Sequence, residues 1–372
     1  MLIKKLYSVV KISKLKIWMD SCTTKQSRIA CSLSTEFDKL GYDYYITARD
    51  IDYNYSYLKQ VFKIDFYPVG RLGHTREEKL LIYTERVKEL TEIILEKEGK
   101  PDVVTSLTSP GAARVAFGLK IPIITYSDTP HAFAVWRLTM PLTTYALIPI
   151  SVPKESALKW GVKEENLYIY DGVDELAWTK NAKYDRDVPK ELNLTEDDHY
   201  CIFRPDEAVS SYFMDNPDLS PKLPVNALIV KKVIENYPDH KIVVFPRYKE
   251  QTKYFKDQWG SKIIIPKKAV DTISLMKFAD LVVSGGGTMT RESALIGTPS
   301  VNCVQLDLLD PDRYLQNHGL PLFYEPNIEK AADLTVKILK NPDKYRIKDT
   351  SKILENMESL NDVILRILEE KF

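Results

Sequence analysis

From Lys16 onward, short apolar runs alternate with longer stretches in which apolar and polar positions recur at helical spacing. Lys16-Ile17-Trp18-Met19-Asp20 predicts a first strand, and Ser27 to Leu40 predicts a helix that stops at Gly41. Strands are expected next at Asp43 to Thr47 and Ile64 to Val69, then a charged helix from about Thr75 to Lys97, ended by Gly99-Lys100-Pro101. Further strands fall at Asp102–Ser106, Ile121–Tyr126 and Tyr145–Ile150. The unbroken Ile123-Ile124-Thr125-Tyr126 suits a parallel strand covered on both faces. The pattern fades over a polar segment from about Gly172 to His199. It restarts with strands Tyr200–Phe203, Lys241–Phe245, Ser261–Ile265, Leu281–Ser284 and Ser300–Val304, and helices at about Val225–Asn236, Val270–Phe278 and Thr288–Ile296.

This alternation in both halves predicts an α/β chain of two Rossmann-like parallel-sheet domains facing a central cleft. The expected division is an N-terminal extension over 1–15, a first domain over 16–175, a linker over 176–199 and a second domain over 200–345. A C-terminal helix over 346–372 has the option of packing back across the cleft. A length of 372 residues suits two such domains, and 44% hydrophobic with 28% charged residues is globular rather than disordered composition. Lysine plus arginine equals aspartate plus glutamate at 52 each, so no global field favours nucleic acid. Cys22, Cys31, Cys201 and Cys303 are scattered, with no Cys-x-x-Cys and no histidine at ligand spacing, so neither a disulfide framework nor a metal site is expected. No segment reaches the roughly 18 apolar residues of a spanning helix. The basic N-terminus, MLIKKLYSVVKISKLKIWMD, lacks a small-residue cleavage site and reads as an extension, with a membrane-touching segment as the alternative. The expected location is cytoplasmic, with peripheral attachment to the inner membrane face as a variant.

The most informative stretch runs from Phe278 to Pro299. An apolar strand ends at Ser284, Gly285-Gly286-Gly287 follow, and a helix opens at Thr288 and closes near Gly297-Thr298-Pro299. Glycines let a ligand approach the backbone, and unspent N–H groups at a helix start favour an anion such as a diphosphate. Glu292 lies one helical turn beyond Thr288 and is placed to accept hydrogen bonds from the hydroxyls of a ribose. The alternative is a tight strand-to-helix connection with a solvated Glu292. The motif is neither a Walker A loop nor G-x-G-x-x-G.

That segment resembles the nucleotide-sugar motif of GT-B glycosyltransferases and of non-hydrolysing UDP-N-acetylglucosamine 2-epimerases. Closer still, the chain resembles the mostly archaeal domain-of-unknown-function 354 family. The likeness rests on Lys16-Ile17-Trp18-Met19-Asp20, Leu40-Gly41-Tyr42-Asp43, Thr47-Ala48-Arg49-Asp50, Pro101-Asp102-Val103-Val104 and Ser109-Pro110. It continues through Asp128-Thr129-Pro130-His131-Ala132 and Phe203-Arg204-Pro205 to the residues from Gly285 to Glu292. The resemblance implies a GT-B-like fold. The chain departs from the family pattern at Gln26, where a loop histidine is expected, and at Leu107, where a polar residue is expected.

On that frame, Asp128 and His131 are the candidates for a general base on the first-domain rim of the cleft. A helix start capped by Asp128 or Thr129 is the structural alternative. Arg204 and Arg247 each follow an apolar strand and suit a diphosphate. Asp20, Arg71, His74 and Ser109 are candidate acceptor contacts. The aromatic-apolar run from Phe133 to Leu142 reads as core, with a lipid-acceptor surface as the alternative. The leading function is a metal-independent glycosyltransferase taking a nucleotide sugar, a UDP-sugar first. The alternatives are a UDP-N-acetylhexosamine 2-epimerase and a nucleotide-sugar-binding protein without turnover. No cofactor is expected beyond the nucleotide sugar as substrate. The partners are the donor and an acceptor of open chemistry, lipid-linked or glycan, with a homodimer as an option and no nucleic acid.

Overall fold

The structure, a computed structural model, describes residues 14–51, 53–73, 75–206, 224, 226–305 and 307–372. The extension up to residue 13 and His74 lie outside the described residues. Two all-parallel sheets are formed. The first has the order β3-β2-β1-β4-β5-β6-β7, from β1 (Lys16–Ser21), β2 (Asp43–Asp50), β3 (Tyr67–Arg71), β4 (Val103–Leu107), β5 (Ile123–Tyr126), β6 (Tyr145–Pro149) and β7 (Leu167–Tyr170). The second has the order β12-β11-β10-β8-β9, from β8 (Tyr200–Arg204), β9 (Lys241–Val244), β10 (Leu281–Ser284), β11 (Ser300–Asn302) and β12 (Leu322–Tyr324). Strand order reverses between β1 and β4 in one sheet and between β8 and β10 in the other. Open α/β sheets bind ligands at the carboxyl ends of strands beside such reversals.

Successive residues of each strand serve opposite faces, as the pleat requires. In the second sheet Cys201, Phe203, Ile242 and Val244 enter one core, while Tyr200, Ile202, Val243 and Phe245 enter the other. In the first, Ile17, Met19 and Val103 lie on one side, and Trp18 and Val104 on the other.

Several expectations are corrected. The first helix spans Thr24–Leu40, three residues longer than its apolar pattern, because the Thr23 hydroxyl caps it by accepting from the Gln26 N–H. β3 begins at Tyr67 rather than Ile64, because wide helical turns occupy Tyr57–Phe62 and Lys63 takes positive φ. Ser261–Ile265 is not a strand. Gly260–Lys262 forms a 3-10 turn, Pro266 brings no N–H, and only the bridge from Val243 to Ile264 survives. The edge strands β7 and β12 were missed because four and three residues leave too little alternation to read.

The polar segment 176–199 is no free tether. Val188, Leu192 and Leu194 are buried in the second sheet's core. The C-terminal helix Leu360–Lys371 packs on the first sheet, burying Leu360, Val363, Ile364, Ile367 and Leu368 beside Ile17, Met19, Ile124 and Tyr170. A capping box of Ser359 and Asp362 starts it. The aromatic run at 133–142 divides. Trp136 and Met140 are core, whereas Phe133 and Leu138 are exposed.

Candidate functional site

At the reversal beside β10 the three glycines do three different things. A Cβ on Gly285 would lie 2.8 Å from the Asp206 Cβ, and one on Gly287 would collide with the Arg291 guanidinium. Both glycines therefore make room for the protein's own chain, Gly285 for Asp206 and Gly287 for Arg291. Gly286 is different: a Cβ there would meet Arg247 Nη2 only at 3.6 Å. It has extended backbone (φ −166°) and is the N-cap of the helix Gly287–Leu295, which no side chain caps among the described residues. The Ser284 hydroxyl closes the turn by accepting from the Gly286 N–H at 3.1 Å. Thr288 is half-buried in the first turn. The anion-favouring end of this helix thus opens at Gly286, next to Arg247.

Arg204 and Arg247 emerge on this same edge. Arg204 donates to the Phe245 carbonyl at 3.0 Å and lies over the Tyr53 ring at 6.0 Å, across from the first domain. Arg247 donates through Nε to the Pro205 carbonyl at 3.2 Å. Tyr53 closes the gap with its hydroxyl 3.3 Å from the Pro246 carbonyl.

Glu292 is neither solvated nor open to a ribose. It is buried, and Oε1 accepts from Trp178 Nε1 at 2.8 Å and pairs with Arg28 Nε at 3.3 Å. Burial pushes its carboxyl up, with Arg28 opposing. Arg28 also donates to the hydroxyls of Tyr57 (2.9 Å) and Thr272 (2.5 Å), so it joins the first helix to the second domain.

The larger finding is a buried ionic junction that the sequence reading did not single out. Lys25 Nζ contacts Asp128 at 2.7 Å, Asp174 at 2.8 Å and Glu175 at 3.3 Å. Arg291 contacts Glu175 at 2.9 Å, Asp312 at 3.2 Å and Asp128 at 3.3 Å. Two cations thus serve four carboxylates, and the segments involved follow β1, β5, β7, β10 and β11. Burial works to raise the Asp128 carboxyl, but Lys25 and Arg291 outweigh it and hold it well below the usual range. Burial, with Asp128 and Glu175 adding repulsion, pushes Asp174 up to about 6 despite Lys25. The negative excess therefore weighs most on Asp174, whose carboxyl is the one the cluster holds least firmly in its charged form. Glu175 Oε2, Asp312 Oδ1 and Arg291 Nε are buried without a hydrogen-bond partner. The legible signals for this junction were Arg291 beside Glu292 and Lys25 just past β1.

Asp128 is thereby corrected as a base, because a doubly ion-paired carboxylate holds its negative charge too firmly to accept a proton. Nor does it cap a helix: the next one, Phe133–Thr139, begins after Ala132 without a side-chain cap. His131 stands in the turn between them. Burial pushes its imidazole down, against the pull of Asp128 and of Asp310 from the second domain, so it is a neutral acceptor at pH 7.

The acceptor contacts fare less well. Asp20 is buried, taking hydrogen bonds from Arg86 Nη2 and Thr47 Oγ1, each 2.6 Å. Ser109 is buried as the N-cap of helix Pro110–Gly118 and faces Cys22 Sγ at 3.4 Å. Neither side chain is open to an acceptor. Arg71 is exposed and pairs with Glu78 at 2.5 Å. Gln26 donates to the Leu107 carbonyl at 2.7 Å and accepts from the Cys22 N–H, so it fastens the end of β1 to the end of β4.

Two parallel-sheet domains whose strand ends meet across such a junction define a GT-B-like α/β protein. Solved structures of that fold superpose over nearly the whole chain. The UDP-GlcNAc 2-epimerase of Neisseria meningitidis bound to UDP-GlcNAc has a TM-score of 0.69 at 15% identity, covering 96% of this chain and 100% of that one. The Methanocaldococcus jannaschii UDP-GlcNAc 2-epimerase with UDP-GlcNAc and UDP gives 0.70 at 20% identity, over 95% and 99%. The S. aureus MnaA–UDP structure gives 0.71 at 14% identity, over 95% and 96%. The chain belongs to the family described as protein of unknown function DUF354, whose model matches residues 15–370. A relative, the uncharacterized protein MJ0665 of Methanocaldococcus jannaschii, is 33% identical over 306 residues, 81% of this chain and 85% of its own.

Proposed function

We propose that the protein is a metal-independent enzyme that binds a nucleotide sugar, UDP-linked, and transfers the sugar to a hydroxyl acceptor. The observation that carries this reading is Gly286, where an uncapped helix start opens beside the Arg247 guanidinium. The diphosphate would lie against the N–H groups after Gly286, with Arg247 and Arg204 as counter-charges. His131 would take the acceptor hydroxyl's proton as that oxygen bonds to the anomeric carbon. The bond from that carbon to the diphosphate breaks, and its electron pair leaves with the nucleotide. Arginines and the helix dipole stabilise the charge that builds there. Arg291 and Lys25 would hold the two domains closed around the donor and exclude water.

A second reading is epimerisation at the sugar's second carbon. Two of the solved structures of similar fold are UDP-GlcNAc 2-epimerases holding UDP-GlcNAc. One experiment separates the readings. A panel of nucleotide sugars is screened by thermal shift, and the binder is incubated with the protein alone and with hydroxyl acceptors. Transfer requires acceptor. A change of configuration without acceptor supports epimerisation, and no shift with any nucleotide sugar rejects both.

A further inference from the structure

We propose that His199, His240 and Asp280 form a binding site for a divalent cation of the zinc class, at the N-terminal edge of the second sheet, opposite the glycine turn. Each residue immediately precedes a strand: His199 before β8, His240 before β9 and Asp280 before β10. Those strands are neighbours, in the order β10-β8-β9, so the three side chains form a row on one rigid edge. The row is tied by backbone as well. The Lys241 N–H donates to the His199 carbonyl at 2.9 Å, and the Asp280 N–H to the Tyr200 carbonyl at 2.8 Å.

The ligand atoms converge. His199 Nδ1 lies 2.9 Å and His240 Nε2 lies 3.4 Å from the same oxygen, Asp280 Oδ2, and all three atoms fall within 4.8 Å of one another. Two ligands about 2.0 Å from a tetrahedral zinc ion are separated by about 3.3 Å. Both separations from the carboxylate are near that figure, so modest side-chain rotation seats an ion. His240 Nε2 is shut off from solvent and faces Asp280 Oδ2 across 3.4 Å. A buried imidazole nitrogen held only by so long a contact gains from a cation seated between the two. The Tyr237 ring packs on His240 at 5.1 Å and holds the imidazole in place.

The donor set selects the ion. Two imidazoles and one carboxylate suit zinc, whereas magnesium and calcium demand oxygen. The His199 side chain is 70% exposed, so water can complete the fourth position. Because the site sits on the sheet edge away from Gly286, its role is to clamp three strands rather than to take part in sugar chemistry. The sequence hid it, since residues 199, 240 and 280 have no recognisable ligand spacing.

The test uses the full chain stripped with a chelator. Zinc should raise Tm by a few degrees, and magnesium should not. Cobalt(II) should bind one per chain with the intense visible absorption of a four-coordinate site. H199Q, at an exposed position, and D280N should each weaken cobalt binding by at least about tenfold. H318Q, a histidine elsewhere, should leave binding unchanged. Wild-type protein that ignores zinc, a weak six-coordinate cobalt spectrum, or equal binding by H199Q and wild type would overturn the proposal and leave a plain hydrogen-bonded triad.

Discussion

Replacing Arg291 by methionine tests the ionic junction most directly. The substitution keeps an unbranched side chain and removes the charge. Asp128, Glu175 and Asp312 each lose a contact of 2.9–3.3 Å, and Lys25 remains as the one cation of the six-residue cluster. Breaking a buried pair by removing one partner costs about 3–5 kcal/mol. Protonation limits the cost: a carboxyl with an ordinary value near 4 can be neutralised at pH ~7 for about 4 kcal/mol. The expected loss at pH ~7.5 is therefore on the order of 4 kcal/mol. If one extra proton relieves the strain, that loss shrinks by about 1.4 kcal/mol per pH unit on acidification. Urea unfolding of wild type and variant at pH ~7.5 and ~5.5 should show a difference that is smaller by roughly 2–3 kcal/mol at the lower pH. Pairing the change with Glu175→Gln should recover part of the loss at the higher pH. A variant within about 1 kcal/mol of wild type, or a difference that ignores pH, would refute a charge-balanced junction.

Gly286→Ala should fold with unchanged Tm, since its Cβ meets nothing closer than 3.6 Å among the described residues, yet bind a UDP-sugar at least about tenfold more weakly by calorimetry. Gly285→Ala, 2.8 Å from Asp206, should instead lower Tm, and reversal of that order would count against the assignment. His131→Gln should reduce kcat by about 10²–10⁴ while leaving donor affinity intact; a kcat near wild type would exclude it as the base. Asp20→Asn should destabilise the first sheet by about 3–5 kcal/mol near neutral pH, because buried Arg86 loses its charge partner. Burial raises the Asp20 carboxyl, but Arg86 and its hydrogen bonds lower it further still. Its contribution is therefore present above the unfolded value near 4 and lost as pH falls through the folded one. The gap between wild type and variant should narrow on acidification, and a constant gap in acid titrations would contradict the ion pair.

Much of the architecture was legible because it is written in local patterns. The long apolar cores of β1, β4, β5 and β10 and the Gly41 stop each depend on neighbours within a few residues. Ser284 and Gly286 could be located for the same reason, since a strand, a turn and a helix start are contiguous. The ionic junction was legible only in pieces. Asp128 stood out by its place after β5, but Lys25, Asp174, Glu175, Arg291 and Asp312 are ordinary in their local settings, and only the meeting of two sheets joins them. Glu292 and Asp20 were misjudged by the same blindness. Their partners, Arg28 and Arg86, sit 264 and 66 residues away along the chain. Gly287 was read as ligand-facing for want of a third dimension, when its missing side chain admits Arg291.

The helix Leu360–Lys371 belongs in space to the half of the molecule that is synthesised first. A nascent chain that has completed β1 to β7 still leaves Ile17, Met19 and Tyr170 without their cover. The second sheet, by contrast, has every strand of its own once Tyr324 has emerged. Order of synthesis and order of completion are therefore inverted. The second domain behaves as an insertion within the first, and a chain cut just before Leu360 would carry its interior unit on an unfinished frame. Truncations within Leu360–Lys371 should then injure the first sheet rather than the second.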